Sequence, residues 1–371
     1  MTLHTCTHPA HRFRTAPSSW VKGPRGQRVR TIDLHCHALT PEVERKVADH
    51  PQKRAEAELR LRTMGRASVE YNANTMLPES LAALTDLGVR LQDMDVMGVD
   101  IQVISPSPNQ YYYWAERDLA AEIVRLQNEN IAALCAQQPR RLTGLGTLAL
   151  QHPALAVEQL EHAVRKLGLR GVEVSTAING LGLADASLEP IWAKAQALGC
   201  LVFIHPLGTS LGERLAHHYL SNIVGQPVET AVALSQLIFG GVLDRYPQLK
   251  VCAAHGGGYL PTYIGRSSHA YAVRPDAHTM ARPPAEYLKR LYFDSLVYSP
   301  EALHRLVSQV GAGQVVIGTD YPFDMGHYDN HALVDATPGL SDAEKAAILG
   351  GNAARLLGLD EREDDRSDNA S

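Results

Sequence analysis

The stretch "TIDLHCHALTP", residues 31–41, closes an apolar run with two histidines around a cysteine and then enters a Pro-bearing loop. Alternate side chains of a strand share a face, so His35 and His37 point one way and Cys36 the other. Two imidazoles on one face at a strand's end can grip one metal ion. With 17 histidines in the chain, about one such pair is expected by chance, so the spacing gains meaning only from further ligands elsewhere.

Further ligands must come from other elements. Apolar, β-branched runs predict strands at about 31–36, 99–105, 143–149, 171–175, 201–205, 250–255, 291–295 and 314–319. Between most of them lie stretches with i, i+3, i+4 apolar spacing, such as "LAAEIVRLQNENIAALCAQQ", "ALAVEQLEHAVRKLG", "SLEPIWAKAQALG" and "PVETAVALSQLIFGGVLDRYP". Several end at Gly, the residue that caps a helix C-terminus. Strand and helix alternating about eight times predict an α/β fold closed as a (β/α)8 TIM barrel, distorted by an insertion between the first two strands. An open doubly wound sheet fits less well, because no Gly-rich phosphate loop follows the first strand.

In such a barrel, catalytic groups sit at the C-terminal ends of strands. His35 and His37 end the first strand, His205 the fifth and His255 the sixth, while Asp320 follows the eighth. Taken singly, each has a bland reading: His205 as a core histidine, His255 as the start of a loop, Asp320 as a turn residue. One rule nevertheless places all five on one face. Three neutral imidazoles and a carboxylate suit Zn²⁺ or another divalent transition metal such as Mn²⁺. An ion of that kind lowers the pKa of a bound water. His255 beside it would act as general acid or base, since imidazole titrates near neutrality.

The bulk numbers agree with a globular enzyme. Apolar residues make up 45% of the 371, charged residues 20%, and the formal charge is −5, so neither nucleic acid nor a membrane surface is expected as a partner. Five scattered cysteines (Cys6, Cys36, Cys135, Cys200, Cys252) predict no disulfide framework and a cytoplasmic setting. Residues 1–30 are expected to form a basic leader in which His4, His8 and His11 are simply solvated. The barrel is expected over 31–358, with the polar insertion at about 42–96 near its mouth, and 359–371 reads as a charged, disordered tail.

The blocks "DLHCH", "GVDIQVISPSP", "LEPIWAKAQALGCLVFIHP", "GGVLDRYPQLKVCAAHGGGYLPTYIGR" and "VVIGTDYPF" resemble the amidohydrolase superfamily. The resemblance is to its branch of metal-dependent decarboxylases, typified by 2-amino-3-carboxymuconate-6-semialdehyde decarboxylase, and covers most of residues 31–358. It implies one catalytic metal held by His35, His37, His205 and Asp320, with His255 and Asp320 managing proton transfer. It also implies that Phe323 lines the pocket and that Arg266 binds a substrate carboxylate in the neighbouring protomer's site, hence a homodimer. A guanidinium fork suits a planar carboxylate.

The family's second substrate arginine has no clear counterpart, leaving Arg66 and Arg90 as candidates. The fourth strand, "GVEVST", carries Glu173 where binuclear members have a bridging lysine, which favours a mononuclear site. Glu173 either replaces that bridge or serves as a buried structural hydrogen-bond or ion-pair partner. In the loop "SPSPNQYYYWAE", Asn109, Tyr111 and Trp114 either shape the pocket or pack on the insertion. The expected reaction is non-oxidative decarboxylation of a small aromatic or unsaturated carboxylic acid. The rival is a metal-dependent hydrolase of an amide or lactone, or a hydratase, built on the same site.

Overall fold

A computed structural model describes residues 30–359; the expected leader and charged tail otherwise lie outside the described residues. The first strand (Ile32–Ala38) pairs in parallel with the second (Ile101–Pro106), and the second with the third (Leu142–Gly144). The fourth (Gly171–Val174), fifth (Leu201–Ile204), sixth (Lys250–Ala253), seventh (Tyr292–Asp294) and eighth (Val315–Val316) form a second parallel run. Three isolated bridges join the runs. Gly146 pairs with Val172, and on the other edge Asp33 pairs with Ile317 and Cys36 with Tyr321. The result is a closed parallel barrel of the TIM type, with helices outside.

The expected strands all occur, but the third and eighth are shorter than their apolar runs. After Gly144, the side chain of Asn128 takes over the role of a neighbouring strand: its Oδ1 accepts the Thr147 N–H at 2.8 Å and its Nδ2 donates to the Thr147 carbonyl at 3.1 Å. The eighth strand bends away at Gly318, whose added Cβ would stand 2.7 Å from Cβ of Asp294 and 2.9 Å from Cβ of His35. Asp33, fully buried, secures this edge by accepting the Thr319 hydroxyl at 2.7 Å and the Gln102 amide at 3.2 Å.

Alternation on the fifth strand shows how the core divides. Val202 and Ile204 face outward, into the same core cluster as Leu234 and Leu237 of helix α9 (Gln226–Phe239). Phe203 faces inward, its ring 5.1 Å from that of His35, and His205 continues the inward set. Burying side chains of this size contributes roughly 1.5–3 kcal/mol each. The stretch after residue 226, expected as one helix, breaks into α9 and α10 (Val242–Arg245). A Cβ at Gly240 would lie 2.5 Å from Cβ of Ala184, and Gly241 is left-handed at φ +68°. Close approach and reversal at that point exclude a continuous helix.

Five helices occupy the segment between the first two strands: α1 (Pro41–Val47), α2 (Pro51–Met64), α3 (Arg66–Tyr71), α4 (Leu77–Thr85) and α5 (Leu87–Met97). Helix α2 buries none of its residues. Polar and aromatic contacts tether it instead: Lys53 pairs with Glu44 at 3.2 Å, and His50 stacks on Trp114 with ring centroids 4.6 Å apart. At the α2–α3 junction Gly65, at φ +80°, sits so close to Ala216 that any Cβ would meet its carbonyl oxygen. The segment thus lies against the loop that follows the fifth strand.

Candidate metal centre

The strand ends deliver their polar residues to one point. His35 Nε2 lies 3.3 Å and His37 Nε2 3.1 Å from Oδ1 of Asp320, and His205 Nε2 lies 3.9 Å from the same oxygen. One ligand atom from each of His35, His37, His205 and Asp320 falls within 4.8 Å of all the others, and all four residues are buried. His255 approaches the other carboxylate oxygen, with Nε2 3.6 Å from Oδ2 of Asp320. Cys36 turns away, donating from Sγ to the Val103 carbonyl at 3.4 Å within an apolar cluster.

The electrostatics of the cluster follow from burial and from the charges packed together. Burial alone would raise the pKa of Asp320, but the charge of His35 and hydrogen bonds from His255, His35 and His37 hold it well below the carboxylate range. Burial alone would lower His35, yet Asp320 and Asp294 outweigh it and lift His35 to about 10. His205 goes the other way: burial, then the neighbouring His35, His37 and His255, push it well below the ordinary histidine value. Neutral His205 keeps one ring lone pair, and neither of its ring nitrogens has a hydrogen-bond partner. A buried imidazole without partners, beside an ionised carboxylate and two further histidines, fits a divalent ion with N/O ligands.

Backbone strain gathers here too. Among the described residues, five of the seven non-glycine residues with positive φ are His218, Tyr219, His255 (+55°), Tyr298 (+66°) and Asp320 (+58°), all on loops after the fifth, sixth, seventh and eighth strands. Such conformations cost of order 1–3 kcal/mol each and persist where the surroundings over-determine them. A cavity of about 970 Å³ opens from His255 and Asp320, passing Leu296, Val297, Tyr298 and Met325.

The other expected residues divide. Phe323 is brought in, its ring 5.6 Å from that of His37. Arg66 is not: its side chain is 75% exposed on α3 and pairs with Glu70 one helical turn away at 3.5 Å. Arg90 is buried but structural, donating to the carbonyls of His37 and Ala83 and to Gln102. Trp114 packs on the insertion, its Nε1 donating to Glu56 at 3.4 Å, and neither it nor Asn109 lines the cavity. Tyr111 turns inward, donating its hydroxyl to Glu173 at 2.6 Å. Glu173 also accepts from Ser105 at 2.5 Å and stands 3.5 Å from Nδ1 of His37. It is a buried hydrogen-bond partner rather than a bridging ligand. Arg266 is exposed on α11 (Leu260–Val273), with no partner among the described residues.

Asp294 is absent from the sequence-based set although it ends the seventh strand by the same rule. It accepts the Nδ1 proton of His35 at 2.7 Å. The signal was an acid closing the apolar run "LYFDS".

A closed parallel barrel that gathers three histidines and an aspartate at its strand ends defines a metal-site barrel enzyme. The chain belongs to the amidohydrolase family, whose sequence profile matches residues 32–359. It is 36% identical over 341 residues to 2-amino-3-carboxymuconate-6-semialdehyde decarboxylase of Dictyostelium discoideum, covering 89% of this chain and 92% of that protein. Among solved structures it is similar to 5-carboxyvanillate decarboxylase from Sphingomonas paucimobilis (26% identity, TM-score 0.78, 90% of this chain and 100% of that one). It is also similar to the dihydroxybenzoic acid decarboxylase of Polaromonas sp. JS666 (26% identity, TM-score 0.71, 89% and 97%), solved with manganese and 2-nitroresorcinol bound.

Proposed function

We propose that this protein is a metal-dependent, non-oxidative decarboxylase of a small aromatic or muconate-type carboxylic acid. The observation that carries this reading is the convergence of His35, His37, His205 and Asp320, with His255 on the second oxygen of Asp320. The relatives that share the barrel are named for removing CO2 from acids of this kind. The four residues hold one divalent ion, Zn²⁺ or Mn²⁺, and manganese is the ion in the Polaromonas protein. When bound, the ion supplies a Lewis acid that stabilises developing negative charge.

The chain's own groups do the rest. The bond to the carboxylate carbon breaks and leaves its electron pair on the substrate carbon. Protonated His255 delivers a proton to that carbon, CO2 departs, and solvent restores the histidine. Asp320 holds His255 toward the cavity, and Phe323 beside His37 supplies an apolar wall. The working unit is a homodimer, with Arg266 reaching the neighbouring protomer's site to bind a carboxylate. In support, Val232 of α9 and Tyr259, just before α11, are exposed along an apolar groove, and Tyr263 of α11 is exposed as well. The four described cysteines are all unpaired, in keeping with a cytoplasmic enzyme.

Elemental mass spectrometry of the wild type and of His35→Ala, paired with CO2 release from hydroxybenzoic, carboxyvanillic and muconate-type acids, tests the reading. One ion per chain, lost in the variant, with CO2 from at least one acid is expected. Bound metal without CO2 from any of them, or no metal uptake at all, would sink it.

A further inference from the structure

We infer that Asp294 is a positioning residue whose single carboxylate sets both the metal-facing nitrogen of His35 and the strained backbone from which His255 enters the site. The inference rests on the metal-centre reading above. Asp294 is fully buried at the end of the seventh strand. Its Oδ2 accepts from Nδ1 of His35 at 2.7 Å and from the backbone N–H of His255 at 2.9 Å. Its Oδ1 accepts from the N–H of Gly256 at 2.8 Å and from that of Leu296 at 3.1 Å. Four donors converge on a group that, ionised, is an acceptor only.

Two consequences follow from that arrangement. Because Oδ2 can only accept, His35 must keep a proton on Nδ1, so the nitrogen that gives up its proton to bind an ion is Nε2, which faces the ligand cluster. At the same time, two of the four bonds tie down successive residues with left-handed backbone, His255 at φ +55° and Gly256 at φ +60°. One side chain therefore fixes a metal ligand and the proton-transfer histidine relative to each other. No slack exists around it, since the eighth strand passes over the pair at Gly318, where a Cβ would stand 2.7 Å from Cβ of Asp294.

Asp294→Asn is nearly isosteric and isolates the chemistry. Its carbonyl oxygen can still serve Gly256 and Leu296, but its NH2 then faces two N–H donors. The conflict at His35 is relieved when the imidazole moves its proton to Nε2, the nitrogen that must face the ion. Zn²⁺ titrated into metal-free wild type and variant against a chromophoric chelator should show affinity reduced about 10–100-fold in Asp294→Asn. Should the variant fail to fold, ¹⁵N-histidine NMR of the zinc-loaded wild type reads the same point: His35 must show its proton on Nδ1.

Wild-type binding with unchanged affinity in Asp294→Asn, or a His35 proton on Nε2 in the zinc-loaded wild type, overturns the inference and leaves the metal reading standing. A wild type that takes up no Zn²⁺ overturns both.

Discussion

On the seventh-strand side of the site, Asp294 accepts a hydrogen bond directly from Nδ1 of His35 and is surrounded by N–H donors. On the fourth-strand side, Glu173 stands 3.5 Å from Nδ1 of His37, with Ser105 between them, and its bonded partners are the hydroxyls of Ser105 and Tyr111. Both carboxylates are completely buried. Burial pushes both upward in pKa, yet Asp294 ends below the ordinary aspartate value because His35, the charge of His255 and the Gly256 amide outweigh burial. Glu173 ends above the ordinary glutamate value because burial dominates. The difference teaches that the groups around a buried acid, rather than its depth, decide which way its pKa moves. Amide N–H groups cannot reverse; hydroxyls can, being donors and acceptors alike. One flank is therefore rigid and the other adaptable.

The largest effect is expected where the flanks meet. Asp320 lies within reach of both members of the histidine pair, so Asp320→Asn should remove the centre for both sides at once. Partners outside the ligand set already cost about 10–100-fold, so kcat/KM should fall by more than about 100-fold. Metal content per chain, by elemental analysis, should fall with it. A variant that keeps its ion and most of its activity would show that the two halves do not converge on this carboxylate.

The comparison is sharpened by Glu173→Gln. Ser105 and Tyr111 can rotate their hydroxyls to accept from the new NH2, a relief that Asp294→Asn does not have. Metal affinity should fall by less than about 10-fold, below the loss expected for Asp294→Asn. The same chelator competition measures both. An equal or larger loss in Glu173→Gln would break the distinction between a rigid and an adaptable flank.

How much of this was legible in the chain follows from what kind of force fixes each residue. His35, His37, His205, His255 and Asp320 were readable because alternation and the ends of apolar runs place them, and both are properties of local sequence. Phe323 came through resemblance, and its ring does meet His37. Trp114 could not be assigned locally, because the deciding contact is a stack on His50, 64 positions away. Arg66 looked available only because a lone arginine in a polar segment says nothing about the partner one helical turn on. The break at Gly240 depends on Ala184, a contact no helical periodicity reports. Asp294 was readable in principle, since it closes a strand as the histidines do. Its four donors, three of them backbone amides, were not.

The smallest effect concerns a third carboxylate that belongs to neither flank. Glu44 on α1 accepts from Gln110 at 2.9 Å and from the Tyr112 hydroxyl, and pairs with Lys53 of α2 at 3.2 Å. Its side chain is 35% exposed. Burial raises its pKa, but hydrogen bonds from Tyr112 and Gln110 and the charge of Lys53 outweigh that and leave it lowered. A folded-state pKa below the unfolded value means stabilisation that is complete above the unfolded pKa, about 4.3, and is lost as pH falls through the folded one. With solvent screening, Glu44→Gln should cost only about 0.5–1 kcal/mol near neutrality. Thermal unfolding midpoints of wild type and variant should differ by a constant amount from pH 8 down to about pH 5, then converge below about pH 4. Divergence on acidification would mean that the pKa of Glu44 rises on folding, as that of Glu173 does, and would separate this part-buried tether from Asp294.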